Sequence, residues 1–337
     1  MKQIWIPRTG APSVLELREA PDPTPGEGQV RVAVEAAGVN FADLMARMGV
    51  YPDAPPLPFV VGYEVAGTID AVGKGVPESR VGEPVVGMTR FGGYSSSVVM
   101  DSLQAVKRPD GMDATTGAAI PVVGLTAWMM CEIFGRVRAG DRVLVHSAGG
   151  GVGLAALDLV KWRGGTAIGT ASAGKHAFLT ERGYDQLIDY TTTDFEDALK
   201  GQEGLDLILD PVGGDSWAKG LRLLRAGGRL VCFGFSAQAT TNQRSVFASL
   251  QAAWQVPWLK VNPVTLMNEN KGVMGVNMGH MWDEGERVTG WLAELLDLWA
   301  EGVFRPHVHA TFPFEQAAEA HQLIHDRKNS GKVLLTP

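Results

Sequence analysis

The sequence predicts an α/β protein in which a β-rich section leads into a doubly wound parallel sheet, and three observations carry that expectation. Across the first 110 residues, short runs alternate apolar with polar: Val30 to Glu35, Val65 to Ala71, Val85 to Met88 and Ser95 to Met100. Alternation of this kind gives each strand one face for a core. From about Arg142, short continuous apolar runs alternate with helix-like segments instead, the signature of βαβ units. The first of those runs, starting at Val143, empties into clustered glycines at Gly149, Gly150, Gly151 and Gly153.

The elements follow in order. Turn clusters from Pro21 to Gly26 and from Pro55 to Pro58 separate the early strands, because proline fixes φ and removes a ladder donor. Helical periodicity in this section is confined to Ala42 to Met48. Beyond it, strands are expected at Val143 to His146, Thr166 to Thr170, Gln186 to Tyr190, Leu205 to Asp210, Arg229 to Phe235 and Val273 to Met278. Their separations leave room for one crossover helix each, as parallel pairing requires. The stretch from Ser245 to Met267 is long and apolar, with Phe247, Leu250, Trp254, Trp258 and Leu266. Pocket wall, subunit interface, lipid contact and ordinary packed excursion all remain open for it. Val288, Trp291, Leu292, Leu295, Leu296 and Trp299 then recur at helical spacing, predicting an amphipathic helix from Val288 to Glu301. A helix over Phe314 to His325 and a strand over Lys332 to Thr336 close the chain.

Composition bounds the function. The 337 residues suffice for about two domains at roughly 100–200 residues each. A formal net charge of −7 leaves no basic excess to grip a polyphosphate backbone, so no nucleic-acid partner is expected. Cys131 and Cys232 are the only cysteines and belong to no CxxC or Cys/His cluster, which excludes a disulfide framework and a thiolate zinc site. With no apolar leader after Met1, a reducing, cytoplasmic location is expected. The uncharged stretch Ala114 to Cys131 is long enough to raise a membrane span, but Gly117, Pro121 and Gly124 interrupt it, so no integral membrane segment is expected.

The glycine cluster carries the chemistry. A strand, a glycine turn and a helix start converge backbone N–H groups on one place, an anion site suited to a pyrophosphate. Gly150 and Gly153 fill the second and third positions of a GxGxxG pattern, while Ala148 stands at the first. The strand before, the helix after and the βαβ run beyond favour dinucleotide binding through Gly149, Gly150, Gly151, Val152 and Gly153 over a purely structural turn. About twenty residues on, an NAD-type site places an acid on the ribose 2′-hydroxyl. Here the segment is Gly169 to His176 with no carboxylate; Ser172 can donate a hydrogen bond and Lys175 can meet a 2′-phosphate. NADPH is therefore expected over NADH, with a solvated surface charge as the other reading of Lys175.

The motifs Ala37-Gly-Val-Asn40-Phe-Ala-Asp43, Gly49-Val-Tyr51-Pro52, Pro58 to Gly67, Gly124-Leu-Thr126-Ala-Trp128 and the glycine loop resemble the zinc-free quinone oxidoreductases of the medium-chain dehydrogenase/reductase superfamily, across essentially the whole chain. Within that group, Asn40 to Arg47, Gly169 to His176, Asp210 to Gly214 and Gly331 to Leu335 look most like the vesicle amine transport protein 1 subfamily, the synaptic vesicle membrane protein homologues. The resemblance implies a GroES-like partial β-barrel catalytic domain over 1–122 and 281–337, with a Rossmann NADPH-binding domain inserted at 123–280. Where the zinc alcohol dehydrogenases carry three catalytic ligands, this chain has Asn40, Tyr63 and Val122, so no metal is expected. Without that Lewis acid the expected acceptor is already electrophilic: a small hydrophobic quinone or conjugated enone needing hydride, a hydrogen bond and a proton.

By the same resemblance, Asn40 lies against the nicotinamide, unless it serves only to cap the following helix. Tyr51 stands where enoyl thioester reductases carry a tyrosine acid, and is otherwise a wall of the pocket. Tyr63 shares that cleft or packs; Glu64 holds backbone or a basic side chain. Thr126, Tyr190, Gly234, Phe235, Asn277 and Lys332 are further cofactor contacts by family position. A homodimer is implied. An enoyl thioester reductase, and an NADPH-binding scaffold or vesicle-associated protein with little turnover, are the alternatives.

Overall fold

A computed structural model describes residues 1–235 and 259–337. The chain divides into two compact units, Met1–Leu125 with Met278–Pro337, and Thr126–Asn277.

The first unit is built on strands β1 (Lys2–Ile6), β2 (Glu16–Glu19), β3 (Gln29–Val39), β4 (Phe59–Val60), β5 (Glu64–Val72), β6 (Pro84–Met88), β7 (Ser97–Asp101) and β8 (Val106–Lys107), joined after the second unit by β15 (Val308–Pro313) and β16 (Lys332–Thr336). Its large sheet runs β15-β16-β3-β5-β6-β8, with β7 also pairing β3; a small sheet runs β2-β1-β4. Val30, Val32 and Val34 of β3 alternate into the core with Val65 and Ile69 of β5 and Val333 and Leu335 of β16, as the two-residue period of a strand dictates. Register then sets the site. Val333 lies opposite Val39 on β3, and Ala37 of β3 opposite Val65. Lys332, Asn40 and Glu64 therefore fall together, at the start of β16, the end of β3 and the start of β5. Helix α1 (Phe41–Met48) follows at once and closes on Gly49 in the left-handed region, φ +77°, a conformation glycine adopts without strain.

The second unit holds β9 (Arg142–Val145), β10 (Thr166–Ala171), β11 (Gln186–Asp189), β12 (Leu205–Asp210), β13 (Leu224–Cys232) and β14 (Gly272–Gly275). They form one parallel sheet in the order β11-β10-β9-β12-β13-β14, which is the doubly wound order 3-2-1-4-5-6 of a dinucleotide fold. Every residue of β12 is buried, as a central parallel strand covered on both faces requires. The expected strand positions hold, with shifts at their ends. Tyr190 lies one residue past β11, Phe235 and Gly234 beyond β13, and Asn277 past β14. These strands stop where ladder partners stop: the last pairs are Ala171 with Asp189 and Cys232 with both Asp210 and Gly275.

The uncharged stretch after Ala114 divides into helices Ala114–Ala118 and Pro121–Trp128 and a π-helical segment Met129–Phe134. Among the described residues no helix is long and apolar enough to cross a membrane. The amphipathic period near the end becomes the helix Gly285–Ala300, burying Trp291, Leu292, Leu295, Leu296 and Leu298. Of the apolar run from Ser245, residues up to 258 lie outside the described ones; Val264 and Met267, on the helix Pro263–Glu269, are exposed.

Candidate active site

In the first unit, three of the expected residues form one buried polar cluster. Glu64, with 0% exposure, is its centre. Its Oε1 accepts from Asn40 Nδ2 at 2.8 Å and lies 2.5 Å from Lys332 Nζ, while Oε2 accepts the Val122 backbone N–H at 2.7 Å. Lys332 Nζ also donates to Asn40 Oδ1 at 2.5 Å. Lys332 is only 3% exposed, and a charge so deep is tolerable only with this pairing and hydrogen bonding. Gly38 makes room: an added Cβ there would collide with the Glu64 carboxylate. Glu64 therefore holds both backbone and a basic side chain. Asn40 caps α1 through its backbone, its N–H donating to Asp43 Oδ2 at 2.7 Å. Its side chain makes no cap bond and turns into the cluster instead.

A second buried network lies behind α1. Asp43 Oδ2 also accepts the Tyr94 hydroxyl at 2.9 Å, and that oxygen is 3.2 Å from His321 Nε2. Burial, set against the hydrogen bonds from Asn40 and Tyr94, pushes the Asp43 carboxyl up to about 7; burial drives His321 down to about 3. No residue of this network except Asp43 is legible as polar machinery in the sequence.

Tyr51 and Tyr63 sit edge to face with ring centroids 6.1 Å apart. Burial raises both phenols above their ordinary pKa, so each is a hydrogen-bond donor at neutral pH. Tyr63 is 6% exposed and its hydroxyl is buried, with the Tyr51 phenol as a neighbour that acts on it through charge and a side-chain hydrogen-bond interaction.

In the second unit β9 runs into the glycine turn, and helix α2 (Gly151–Trp162) starts with Gly150 as its cap, without a side-chain cap and with no acid in the first turn. Close packing against backbone requires Gly153, while Gly149 faces the movable end of a lysine. A Cβ on Gly153 would lie 2.5 Å from the Ala148 carbonyl oxygen, and one on Gly149 would lie 2.9 Å from Lys175 Cδ. Ala148 is tolerated at the first position because Gly169 faces it: a Cβ there would lie 2.8 Å from that of Ala148. Val152 is half-buried in the first turn. Lys175 is half-buried beside Gly149, its ammonium pKa lowered by desolvation, and Ser172 precedes the 3-10 turn Ala173–Lys175. Free N–H groups at a helix start, glycine clearance and a nearby cation are what a dinucleotide pyrophosphate requires, so the residues fit that group. Tyr190 and Phe235 expose their rings, Asn277 is exposed, and Thr126 is buried. His146, whose ring packs on Phe195 at 4.5 Å with Nδ1 3.1 Å from Thr170 Oγ1, is neutralised by burial and belongs to the packing.

A GroES-like β-domain joined to a Rossmann sheet defines an α/β oxidoreductase. Residues 26–129 match the family described as "Alcohol dehydrogenase GroES-like domain" and residues 182–335 that described as "Zinc-binding dehydrogenase". The chain is 40% identical over 326 residues to the human synaptic vesicle membrane protein VAT-1 homolog, covering 96% of this chain and 82% of the relative. The structure of Escherichia coli quinone oxidoreductase complexed with NADPH matches with a TM-score of 0.87 at 29% identity, covering 100% of both chains. That of the human VAT-1 homolog-like protein matches with a TM-score of 0.86 at 28% identity, covering 100% of this chain and 98% of the other. The chain belongs to the medium-chain dehydrogenase/reductase superfamily, close to the VAT-1 homologues.

Proposed function

We propose that the protein is a zinc-independent, NADPH-dependent oxidoreductase that reduces a small quinone or α,β-unsaturated carbonyl. The observation that carries the reading is what stands at the positions of the zinc ligands: the Asn40 amide, the Tyr63 phenol and the Val122 alkyl side chain. Two of the three are engaged by Glu64, at the Asn40 side-chain amide and the Val122 backbone N–H. These groups offer hydrogen bonds to an oxygen and no ligand set for a Lewis acid, which suits an acceptor that is electrophilic already.

NADPH, when bound, supplies hydride. Gly149 to Gly153 hold its pyrophosphate, Ser172 and Lys175 its 2′-phosphate, and Thr126, Tyr190, Gly234, Phe235 and Asn277 its remaining parts. Lys332 and Glu64 fix the Asn40 amide in one orientation, so that it positions the nicotinamide without reorganising. Tyr51 donates a hydrogen bond to the acceptor oxygen on which negative charge collects and passes it a proton, which water replaces. Hydride carries two electrons and one proton and Tyr51 passes the second proton, so a quinone would leave as the hydroquinone while the Tyr51 phenolate regains its proton from water. A cytoplasmic location and a homodimer complete the reading; free thiols at Cys131 and Cys232 suit a reducing compartment.

Stopped-flow loss of NADPH absorbance against quinones, enones and enoyl thioesters tests this, with zinc analysis of the purified protein. Fast oxidation by quinone or enone without stoichiometric zinc is expected. Turnover of thioesters alone would make it an enoyl thioester reductase, and tight NADPH binding with no acceptor would make it a scaffold. One zinc per chain overturns the metal-free chemistry.

A further inference from the structure

The Tyr63 hydroxyl is a buried group that the reduction described above leaves idle. A hydroxyl taken out of water is costly unless another bond replaces what water gave. Its ring is held in place from two sides. Phe91 packs against it at 5.0 Å between centroids, tilted by 52°, and Tyr51 meets it edge to face at 6.1 Å. The backbone is fastened as well: the Tyr63 carbonyl accepts the Thr89 N–H at 2.8 Å, and the Gly62 carbonyl accepts the Thr89 hydroxyl at 2.9 Å and the Gly93 N–H at 3.1 Å.

The interaction between the two phenols has a direction. The bond from Tyr63 favours the ionised form of Tyr51, while the bond to Tyr51 favours the neutral form of Tyr63, so Tyr63 donates and Tyr51 accepts. Asp43 and Asp53 also act on Tyr63 by charge, and both hold its proton in place. Tyr51 is half-exposed and opens a turn in which the Ala54 N–H donates to the Tyr51 carbonyl at 3.2 Å. One phenol is thus open to an acceptor, and the other is sealed beside it. Their contact is looser than an ideal hydrogen bond, as catalytic contacts are before substrate tightens them.

We propose that Tyr63 is a positioning residue for the Tyr51 acid: its buried hydroxyl donates to the Tyr51 oxygen and holds the phenolate that forms there when Tyr51 passes its proton to the acceptor. This rests on the role given to Tyr51 above and deepens it. The proton balance is unchanged, because Tyr63 keeps its own proton while Tyr51 regains one from water. A hydrogen bond to an ionised oxygen is roughly twice as strong as one between neutral groups. The Tyr63 bond therefore strengthens as the Tyr51 O–H breaks, and favours the transition state over the ground state. Held by Phe91 and the Thr89 bonds, the donor needs little reorganisation at that moment.

Tyr63→Phe removes the hydroxyl and keeps the ring. With NADPH and but-3-en-2-one, kcat is expected to fall by about ten- to a hundred-fold, the worth of a hydrogen bond to a charged group, with KM within about two-fold of wild type. In a Tyr51→Phe background the same change should cost nothing further, since the hydroxyl acts only through Tyr51. A second measurement needs no turnover: the tyrosinate absorbance that Tyr51→Phe removes is followed as pH rises, and Tyr63→Phe should move its midpoint up by about one to two pH units. A rise in KM with kcat unchanged, an equal loss in the Tyr51→Phe background, or an unmoved midpoint overturns the proposal and leaves Tyr63 as packing. If the wild type reduces no quinone or enone while the midpoint moves as stated, the phenol pair stands and the oxidoreductase reading fails.

Discussion

Replacing Lys332 with methionine tests the central cluster. The substitution keeps most of the side-chain volume and removes the ammonium, which lies 2.5 Å from both Glu64 Oε1 and Asn40 Oδ1. Glu64, fully buried, is left with one backbone and one amide donor and no counter-charge. Breaking a buried ion pair from one side costs about 3–5 kcal/mol. For a unit of roughly 150–250 residues, each kcal/mol moves the melting point by about 2–4 °C, so a fall of about 6–20 °C is expected. Differential scanning calorimetry of Lys332→Met, Glu64→Gln and the double variant completes a cycle, and the double variant should recover at least half of the loss from Lys332→Met. A single variant melting within about 2 °C of wild type, or losses that simply add, would refute the claim that the pair supports the site.

Two further outcomes follow from the geometry. Lys175→Ala should lower kcat/KM for NADPH by about ten- to a hundred-fold, the worth of a charge-assisted hydrogen bond to phosphate, and leave NADH unchanged; equal effects on both cofactors would return Lys175 to the solvated surface. The Asp43 carboxyl, pushed from 3.8 up to about 7 by burial, favours the fold while protonated. Its contribution is complete below about pH 4 and is lost as pH rises through 7. His321, driven down to about 3, acts oppositely, losing its contribution as pH falls below 6.5. Wild type should therefore lose melting temperature relative to Asp43→Asn between pH 5 and 8, and a constant difference across that range would sink the assignment.

The doubly wound sheet was legible because local spacing encodes it: a strand, a glycine turn and a helix are neighbours in sequence, and Gly149 to Gly153 announce their own backbone clearance. Edge strands were not. β15 carries no fully buried residue, so its alternation has no apolar contrast to reveal it, and β2 and β4, at four and two residues, are too short to show a period. Asn40, Tyr51, Tyr63 and Lys332 could be singled out one at a time. Their partners could not, because Asn40 and Lys332 are 292 residues apart and strand register, which no local pattern states, brings them together. A charge at Glu64 inside the apolar run from Pro58 to Gly67, and a glycine at Gly38 opposite it, were the available signals.

The position of β16 between β15 and β3 imposes an order on synthesis. The second unit is complete in sequence at Asn277 and can close its sheet on the ribosome, whereas the first unit waits for its last strand. At ~5–20 residues per second the wait between residues 277 and 332 is on the order of several seconds. During it the Glu64 carboxylate has no Lys332, and the unpaired edge of β3 is open to other strands. Conditions or chaperones that shield this edge should therefore govern the yield of folded protein more than anything done to the dinucleotide-type sheet.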